Sequence, residues 1–355
     1  MQYTIEYKGE KLVTESYAEL SDSDFQRLHD EYYAKPSLED VKNQMLGIWS
    51  GGTKNNLITN YFVKDLMAKT HIYYNKWTVE DVFSYKPLLE WAWGRVQSNR
   101  KVFPETDSDI DNIEAVLRIG GKGVATKPAN FPIKTVDYVL QNYNVNNNWY
   151  DFSCGWGARL TGALKNRVNY FGTDPNYILV DRLKELANLY KETTFTGTNV
   201  DIRAQGSEHF IPEWENKIGL AFSSPPYFLL EDYKIGDQSY KPGTSYSDWI
   251  NHYLKPTLTN IHRYLVDNGI LIFNINNFDV YDLTGDTVKS AEECGFEFVD
   301  RITLKNISRC FGSVSDKGNA QFNDNDETMF VFRKSGNTDD LTKRNSQALF
   351  ESRLF

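Results

Sequence analysis

The sequence predicts an α/β protein: a mainly parallel sheet covered by helices, ending in an antiparallel pair and preceded by a mainly helical region. Three observations predict it. From Ile133 onward, apolar runs of strand length alternate with stretches of helical periodicity. Two of the strand-like runs, Tyr150 to Phe152 and Tyr170 to Gly172, flank a Gly155-Trp156-Gly157 turn and a helical start, and an acid, Asp174, closes the unit. Two further strands, from Phe296 and from Thr328, come in succession at the end and suggest the antiparallel pair.

Taken in order, residues 1–13 alternate weakly, as a short strand or hairpin arm would. Ser21-Asp22-Ser23-Asp24 is a capping cluster ahead of Phe25, Leu28 and Tyr32. A second helix starts at Pro36 to Asp40, runs through Val41, Met45 and Ile48, and is broken by Gly51-Gly52. Leu57 to Met67, Thr78 to Phe83 and Pro87 to Val96 read as further helices, so residues 1–115 form the mainly helical region. Residues 116–335 form the sheet domain and 336–355 a C-terminal tail. Arg118 to Pro132 is too rich in Gly and Pro for a regular element, and Ile133 to Tyr143 is a helix. Tyr177 to Tyr190 places Ile178, Leu179, Leu183, Leu186 and Leu189 at helical spacing. Phe195 to Ile202 is a polar strand candidate, and Lys217 to Phe222 a short apolar strand. Tyr246 to Leu265 is helical, Gly269 to Ile275 is the clearest strand, and Asp286 to Cys294 is a helix ended by Gly295.

A net charge of −9 argues against a protein that coats nucleic acid indiscriminately, while leaving room for a local basic groove. Arg301, Lys305, Arg309 and Lys317 against Asp316 are such a candidate, or an ordinary solvated loop. Three widely spaced cysteines, Cys154, Cys294 and Cys310, give neither a disulfide framework nor metal-ligand spacing and fit a reducing cytoplasm. His209, His252 and His262 also lack paired ligand spacing, so no metal is expected. The N-terminal MQYTIEYKGEKL lacks a signal-peptide pattern, no apolar run reaches membrane-spanning length, and the expectation is a soluble intracellular protein.

The strand, glycine turn, helix, strand, acid unit over Asn148 to Asn176 is how an open α/β sheet holds an adenosine-type cofactor. Glycines admit the ligand to the backbone, and the acid accepts from ribose hydroxyls. Some fifty residues later, Ser224-Pro225-Pro226-Tyr227 follows a strand's carboxyl end, where such sheets place their ligands. Two prolines hold the preceding side chain and the carbonyls rigidly, and the tyrosine offers a ring face. A rigid acceptor pair beside a stacking ring suits a planar base with an exocyclic amine. Gly-Gly-Lys-Gly at 120–123 lacks the spacing and preceding strand of a phosphate loop; it reads as a loop folding over the cofactor site or an interdomain turn. No Gly-x-Ser-x-Gly elbow supports a serine hydrolase.

Together the two motifs resemble the S-adenosylmethionine-dependent DNA amino-methyltransferases that modify cytosine N4 or adenine N6, over roughly Lys122 to Lys334. Asp151-Phe152-Ser153-Cys154-Gly155-Trp156-Gly157 is similar to the family's first motif, Asp174 to its ribose-binding acid, and Ser224 to Tyr227 to its catalytic [Asp/Asn/Ser]-Pro-Pro-[Tyr/Phe/Trp]. The Gly-Trp-Gly turn with Arg159, and Thr173-Asp174-Pro175-Asn176, look like the phage and bacterial branch. The resemblance implies a Rossmann-like class I methyltransferase sheet with S-adenosyl-L-methionine as cofactor. Asp151, Ser153, Cys154, Gly155, Trp156, Gly157, Asp174, Pro175, Ser207, Glu208 and Ser224 would border that cofactor, and Lys122 to Phe131 would cover it. Cys154 itself reads as a small packing residue within the turn.

The implied partner is DNA: a base leaves the stack, lies against Tyr227, and its amine, held by Ser224 and the Pro225 carbonyl, attacks the sulfonium methyl. No Cys follows a Pro, so the Pro-Cys nucleophile of cytosine C5 chemistry is missing. Serine at the first motif position points to cytosine N4, since adenine enzymes more often carry Asp or Asn there; adenine N6 is the alternative. The interval between Asp174 and Ser224 is too short for a recognition domain, so the helical region, with the Asn306 to Asn325 loop, is the candidate for target recognition. Glu231-Asp232-Tyr233 and Trp249 shape the pocket or belong to a solvated loop and a core. Glu327 is a candidate to hold the terminal pair. The same fold methylating RNA or a protein glutamine stays open. So does a noncatalytic binding module, which the intact Asp151, Gly155, Gly157, Asp174 and Ser-Pro-Pro-Tyr disfavour. The setting, restriction-modification or protection of phage DNA, is not written in the motifs.

Overall fold

The computed structural model describes residues 2–119, 121, 123–234, 237–241, 243–277, 280–303 and 328–335. Lys122, Lys305, Arg309, Cys310, Lys317, Glu327, the Asn306 to Asn325 loop and the 336–355 tail lie outside them. The chain forms two units: Met1–Gly47, Lys54–Asn130 and Leu229–Gln238 make the first, and Ile48–Thr53, Phe131–Phe228 and Ser239–Phe355 the second.

The first unit opens with a hairpin, β1 (Tyr3–Tyr7) and β2 (Glu10–Thr14). Its two-residue turn, Lys8-Gly9, takes positive φ at both positions (50° and 79°), the geometry that matches strand twist. Helices follow: α1 (Asp22–Tyr33), α2 (Leu38–Trp49), α3 (Asn56–Phe62) and α4 (Lys64–Lys69). Ser21 caps α1 by accepting from the Asp24 N–H. After β3 (His71–Ile72) come α5 (Val79–Ser84), α6 (Lys86–Ser98) and α7 (Asp109–Ile119). The stretch 57–67, expected as one helix, breaks at Val63 (φ −136°) into α3 and α4.

The expected boundary at 115/116 is displaced. Helix α7 runs straight through it, and Ile113, Val116, Leu117 and Ala125 are fully buried in the first unit's core with Trp77, Trp91 and Tyr32. That unit therefore extends to Asn130. It also takes in Glu231 and Asp232, which pair antiparallel with Ile72 and His71. Much of the aromatic content is core: the Tyr32 and Phe83 rings stack at 3.8 Å, and Lys64 lies 4.0 Å over the Tyr32 ring.

The second unit begins in regular structure with α8 (Ile133–Tyr143), over the expected residues. Strands and helices then alternate: β4 (Asn148–Asp151), α9 (Ala158–Lys165), β5 (Asn169–Thr173), α10 (Tyr177–Thr194), β6 (Val200–Arg203) and β7 (Ile218–Ser223). The first unit's short strand Glu231–Asp232 is β8. Then come α11 (Tyr246–Trp249), a π-helical turn (Ile250–Leu254), α12 (Lys255–Tyr264), β9 (Leu265–Asn274), α13 (Leu283–Glu293), β10 (Phe296–Thr303) and β11 (Thr328–Lys334).

The sheet order is β10-β11-β9-β7-β4-β5-β6. β9, β7, β4, β5 and β6 are parallel, and β11 lies antiparallel between β9 and β10. This is the mostly parallel, helix-covered α/β sheet expected from the sequence, and the terminal antiparallel pair is present. β7 is buried at every position, as a strand covered on both faces must be. Helix α10 buries Leu179, Val180, Leu183 and Leu186, each contributing about 1.5–3 kcal/mol; Ile178 stays 39% exposed. The strand expected over 195–202 shortens to β6 because α10 runs on to Thr194. Phe195 is its left-handed cap (φ 55°) and lies exposed. No helix among the described residues is long and apolar enough to cross a membrane.

Candidate active site

Because β5 and β6 lie on one side of β4 and β7 on the other, the strand order reverses between β4 and β7. Open α/β sheets bind ligands in the crevice beyond such a switch point. The loops after β4, β5, β6 and β7 carry Ser153 to Gly157, Asp174-Pro175, Ser207-Glu208 and Ser224 to Tyr227. The fold therefore gathers the residues picked from sequence at one end of four adjacent strands.

The turn after β4 is held from below. Asp151 is fully buried and accepts from Arg159 Nε at 2.8 Å and from the Tyr170 hydroxyl at 2.8 Å. The same guanidinium donates to the Ser153 carbonyl and, at 3.4 Å, to Ser223 Oγ at the end of β7. Phe131 lies under it, ring centroid 5.3 Å away. Arg159 thus ties the glycine turn to the strand that leads into Ser-Pro-Pro-Tyr. Asp151 also accepts from the Ser153 N–H at 3.4 Å, so among the described residues its partners belong to the turn and its supports, and it positions the turn.

Gly155 (φ 57°) and Gly157 (φ 84°) take left-handed conformations, and a Cβ at Gly157 would stand 2.9 Å from Leu183 Cδ2. Gly157 also begins α9 with no side-chain cap, leaving first-turn N–H groups without one. Trp156 and Ser153 are partly exposed. Cys154 has its sulfur packed against β5, where a Cβ at Gly172 would be 2.6 Å away. Its N–H donates to the Thr173 carbonyl at 3.2 Å, and burial pushes its thiol well above the ordinary range. The packing reading of Cys154 fits this, and its side chain is not turned to the crevice.

Asp174 is partly exposed, with the Asn176 N–H donating to it at 3.0 Å. Burial is the main cause that pushes its carboxyl up to about 6, with Asp151 adding and the Asn176 and Gly155 N–H groups opposing. Pro175 beside it is also partly exposed. Ser207 is buried; its hydroxyl pairs with Thr257 at 2.9 Å and its carbonyl accepts from Asn260 at 3.0 Å. Glu208 is partly exposed, its carboxylate lying over Gly206.

At the end of β7, Pro225 is buried and Ser224, Pro226 and Tyr227 are partly exposed. Asn274, the buried last residue of β9, binds both ends of the motif. Its Nδ2 donates to Ser224 Oγ at 3.3 Å, and its carbonyl accepts from the Tyr227 hydroxyl at 3.2 Å. Phe228 then holds a positive φ of 52° and is 2% exposed, its ring packed within 6 Å of those of Tyr240, Tyr246, Trp249 and Tyr281. A non-glycine residue in that conformation costs energy that the ring packing offsets. Trp249 therefore braces the loop, whereas Glu231 and Asp232 belong to the first unit's β3–β8 pair. Sequence reasoning missed Asn274 and Phe228. The one polar residue in Gly269 to Ile275, next to its end, was the available signal for the first; none existed for a backbone angle.

These residues fit an adenosine-type methyl donor: an open glycine turn, a carboxyl short of donors, and a rigid acceptor loop beside them. Among the described residues no cluster of His, Cys, Asp or Glu could hold a metal ion.

The family model described as DNA methylase, of the N6/N4 class, matches residues 218–352, which begin at β7 and include Ser224 to Tyr227. No curated protein matches the sequence. Similar solved structures include a TehB-like SAM-dependent methyltransferase from Corynebacterium glutamicum, 18% identical over 57% of this chain and 87% of that one (TM-score 0.36). The StiE O-MT is 14% identical over 71% and 87% (TM-score 0.40). A putative sarcosine dimethylglycine methyltransferase from Galdieria sulphuraria is 12% identical over 57% and 84% (TM-score 0.37). Likeness at that level does not by itself identify an activity. Over residues 218–352 the chain is thus similar to the N6/N4 class of DNA methylases.

Proposed function

We propose that the chain methylates cytosine N4 in DNA, with Ser224 to Tyr227 as the catalytic loop. The observation that carries this reading is the clamp by Asn274, which fixes the Ser224 hydroxyl and the Tyr227 ring relative to each other. S-adenosylmethionine supplies an electrophilic methyl group on a sulfonium centre. Ser224 Oγ, already accepting from Asn274, has a second lone pair for an amine hydrogen, and the Pro225 carbonyl accepts the other. Removing those hydrogens from the ring plane concentrates the lone pair on the attacking nitrogen. Tyr227 supplies the face on which a flipped base stacks. Serine is uncharged, so the amine proton leaves to solvent after transfer rather than to the enzyme beforehand.

For the cofactor, Asp174 is assigned to the ribose hydroxyls, the Ser153 to Gly157 turn and the start of α9 to the methionine end, and Pro175, Ser207 and Glu208 to the adenine border. Cys154 contributes through its backbone. Sequence-specific reading of DNA is assigned to the first unit, since α10, β6 and β7 fill the interval between Asp174 and Ser224. Expression in a methylation-deficient bacterial host followed by mass spectrometry of DNA nucleosides tests this. N4-methylcytosine is expected; N6-methyladenine in its place would overturn the base assignment, and unmodified DNA the activity.

A further inference from the structure

Tyr253 carries an unassigned polar group at this same end of the sheet. It sits on the π-helical turn Ile250–Leu254 between α11 and α12. Single π-turns inside helices are rare and recur where a side chain must be re-aimed for function. The residue is 6% exposed and its ring lies 5.4 Å from that of Trp249, yet its hydroxyl has no hydrogen-bond partner among the described residues. Burying a hydroxyl without a partner forfeits its hydration with nothing in return.

Thr257, one turn on from Tyr253, pairs with Ser207 Oγ at 2.9 Å and Asn260 donates to the Ser207 carbonyl at 3.0 Å, which sets this helix against the loop after β6; Ser153, Ser207, Glu208 and Asp174, from the loops after β4, β6 and β5, act on the phenol. Ser153 Oγ gives its one proton to the Phe152 carbonyl at 2.7 Å and Ser207 Oγ pairs with Thr257, and neither stands in hydrogen-bonding geometry to the phenol. Burial holds the phenol above its ordinary range, with Ser153 and Ser207 opposing and Glu208 and Asp174 adding, so it is a donor at neutral pH. Asp174 and Ser207-Glu208 mark the β5–β6 side of the crevice, and Ser153 belongs to the glycine turn beside it.

We propose that the Tyr253 hydroxyl donates a hydrogen bond to the adenosine part of S-adenosylmethionine, making Tyr253 a cofactor-binding residue. This rests on the cofactor reading above. The test compares the full chain with Tyr253→Phe, which keeps the ring. Titration calorimetry with S-adenosylhomocysteine and with methylthioadenosine, which shares only the adenosine part, should show affinity lower by about 5- to 10-fold for both ligands, the worth of one net hydrogen bond. The ligand-free variant should melt at or above the parent temperature, because it loses an unpaired buried hydroxyl. Equal affinity of parent and variant would overturn the proposal while leaving the cofactor reading intact. A loss confined to S-adenosylhomocysteine would overturn the adenosine placement. A parent chain that binds neither ligand would overturn the cofactor reading itself, and the proposal with it.

Discussion

Removing Arg159 tests how the glycine turn is held. In Arg159→Met the Asp151 carboxylate keeps the Tyr170 hydroxyl at 2.8 Å and the Ser153 N–H at 3.4 Å, but loses its cation in a site with no exposure. Breaking a buried ion pair from one side costs about 3–5 kcal/mol. The sheet unit is in the size range where each kcal/mol moves the melting temperature by about 2–4 °C, so a fall of about 6–20 °C is expected. Asp151→Asn alone should also destabilise, since it leaves a guanidinium buried with only neutral partners. The double variant Asp151→Asn/Arg159→Met buries no net charge and should cost no more than the worse single change. Urea unfolding followed by tryptophan fluorescence measures all four chains, and the double-mutant cycle gives the coupling. Simple additivity of the two single losses would refute the pairing as the element that holds the turn.

Three other predictions follow from the same geometry. Tyr227→Ala should lower kcat/KM by about 10- to 100-fold, the worth of one base stack, with S-adenosylmethionine affinity nearly unchanged; equal loss of both, by kinetics and calorimetry, would contradict the stacking role. Cofactor affinity should fall about tenfold per pH unit below about 6 as Asp174 protonates and stops accepting from two hydroxyls, while Asp174→Asn binds weakly at every pH. The ligand-free chain carries the opposite sign. Its folded carboxyl holds the proton more tightly than the unfolded one, so this group's stabilisation is present below about 4 and lost as pH rises through about 6. Phe228→Ala empties a site packed by four rings and should cost about 3–5 kcal/mol, seen as a lower urea midpoint.

Local chemistry made much of the second unit readable. Helix α8 has the bounds its periodicity implied, and the glycine turn, Asp174 and Ser-Pro-Pro-Tyr all fall at strand ends because apolar runs and turn residues mark such ends. What was not readable depends on tertiary packing. Residues 246–265 share one helical pattern, so neither the π-turn nor the start of β9 at Leu265 stood out. Leu117 and Ala125 look like linker residues until the first unit's core is assembled around them. Tyr253 is one of 22 tyrosines, and nothing in its neighbours' identities says that its hydroxyl lacks a partner. Arg159 stands beside the turn in the sequence, but its reach to Ser223 depends on β4 and β7 lying side by side.

The central claim is methyl transfer from S-adenosylmethionine to an exocyclic base amine, and its most direct test is incubation of the purified chain with unmethylated DNA and methyl-labelled cofactor. Digestion and mass spectrometry should place the label in N4-methylcytosine. Label in 5-methylcytosine, or in no base while the chain binds the cofactor, would contradict the account.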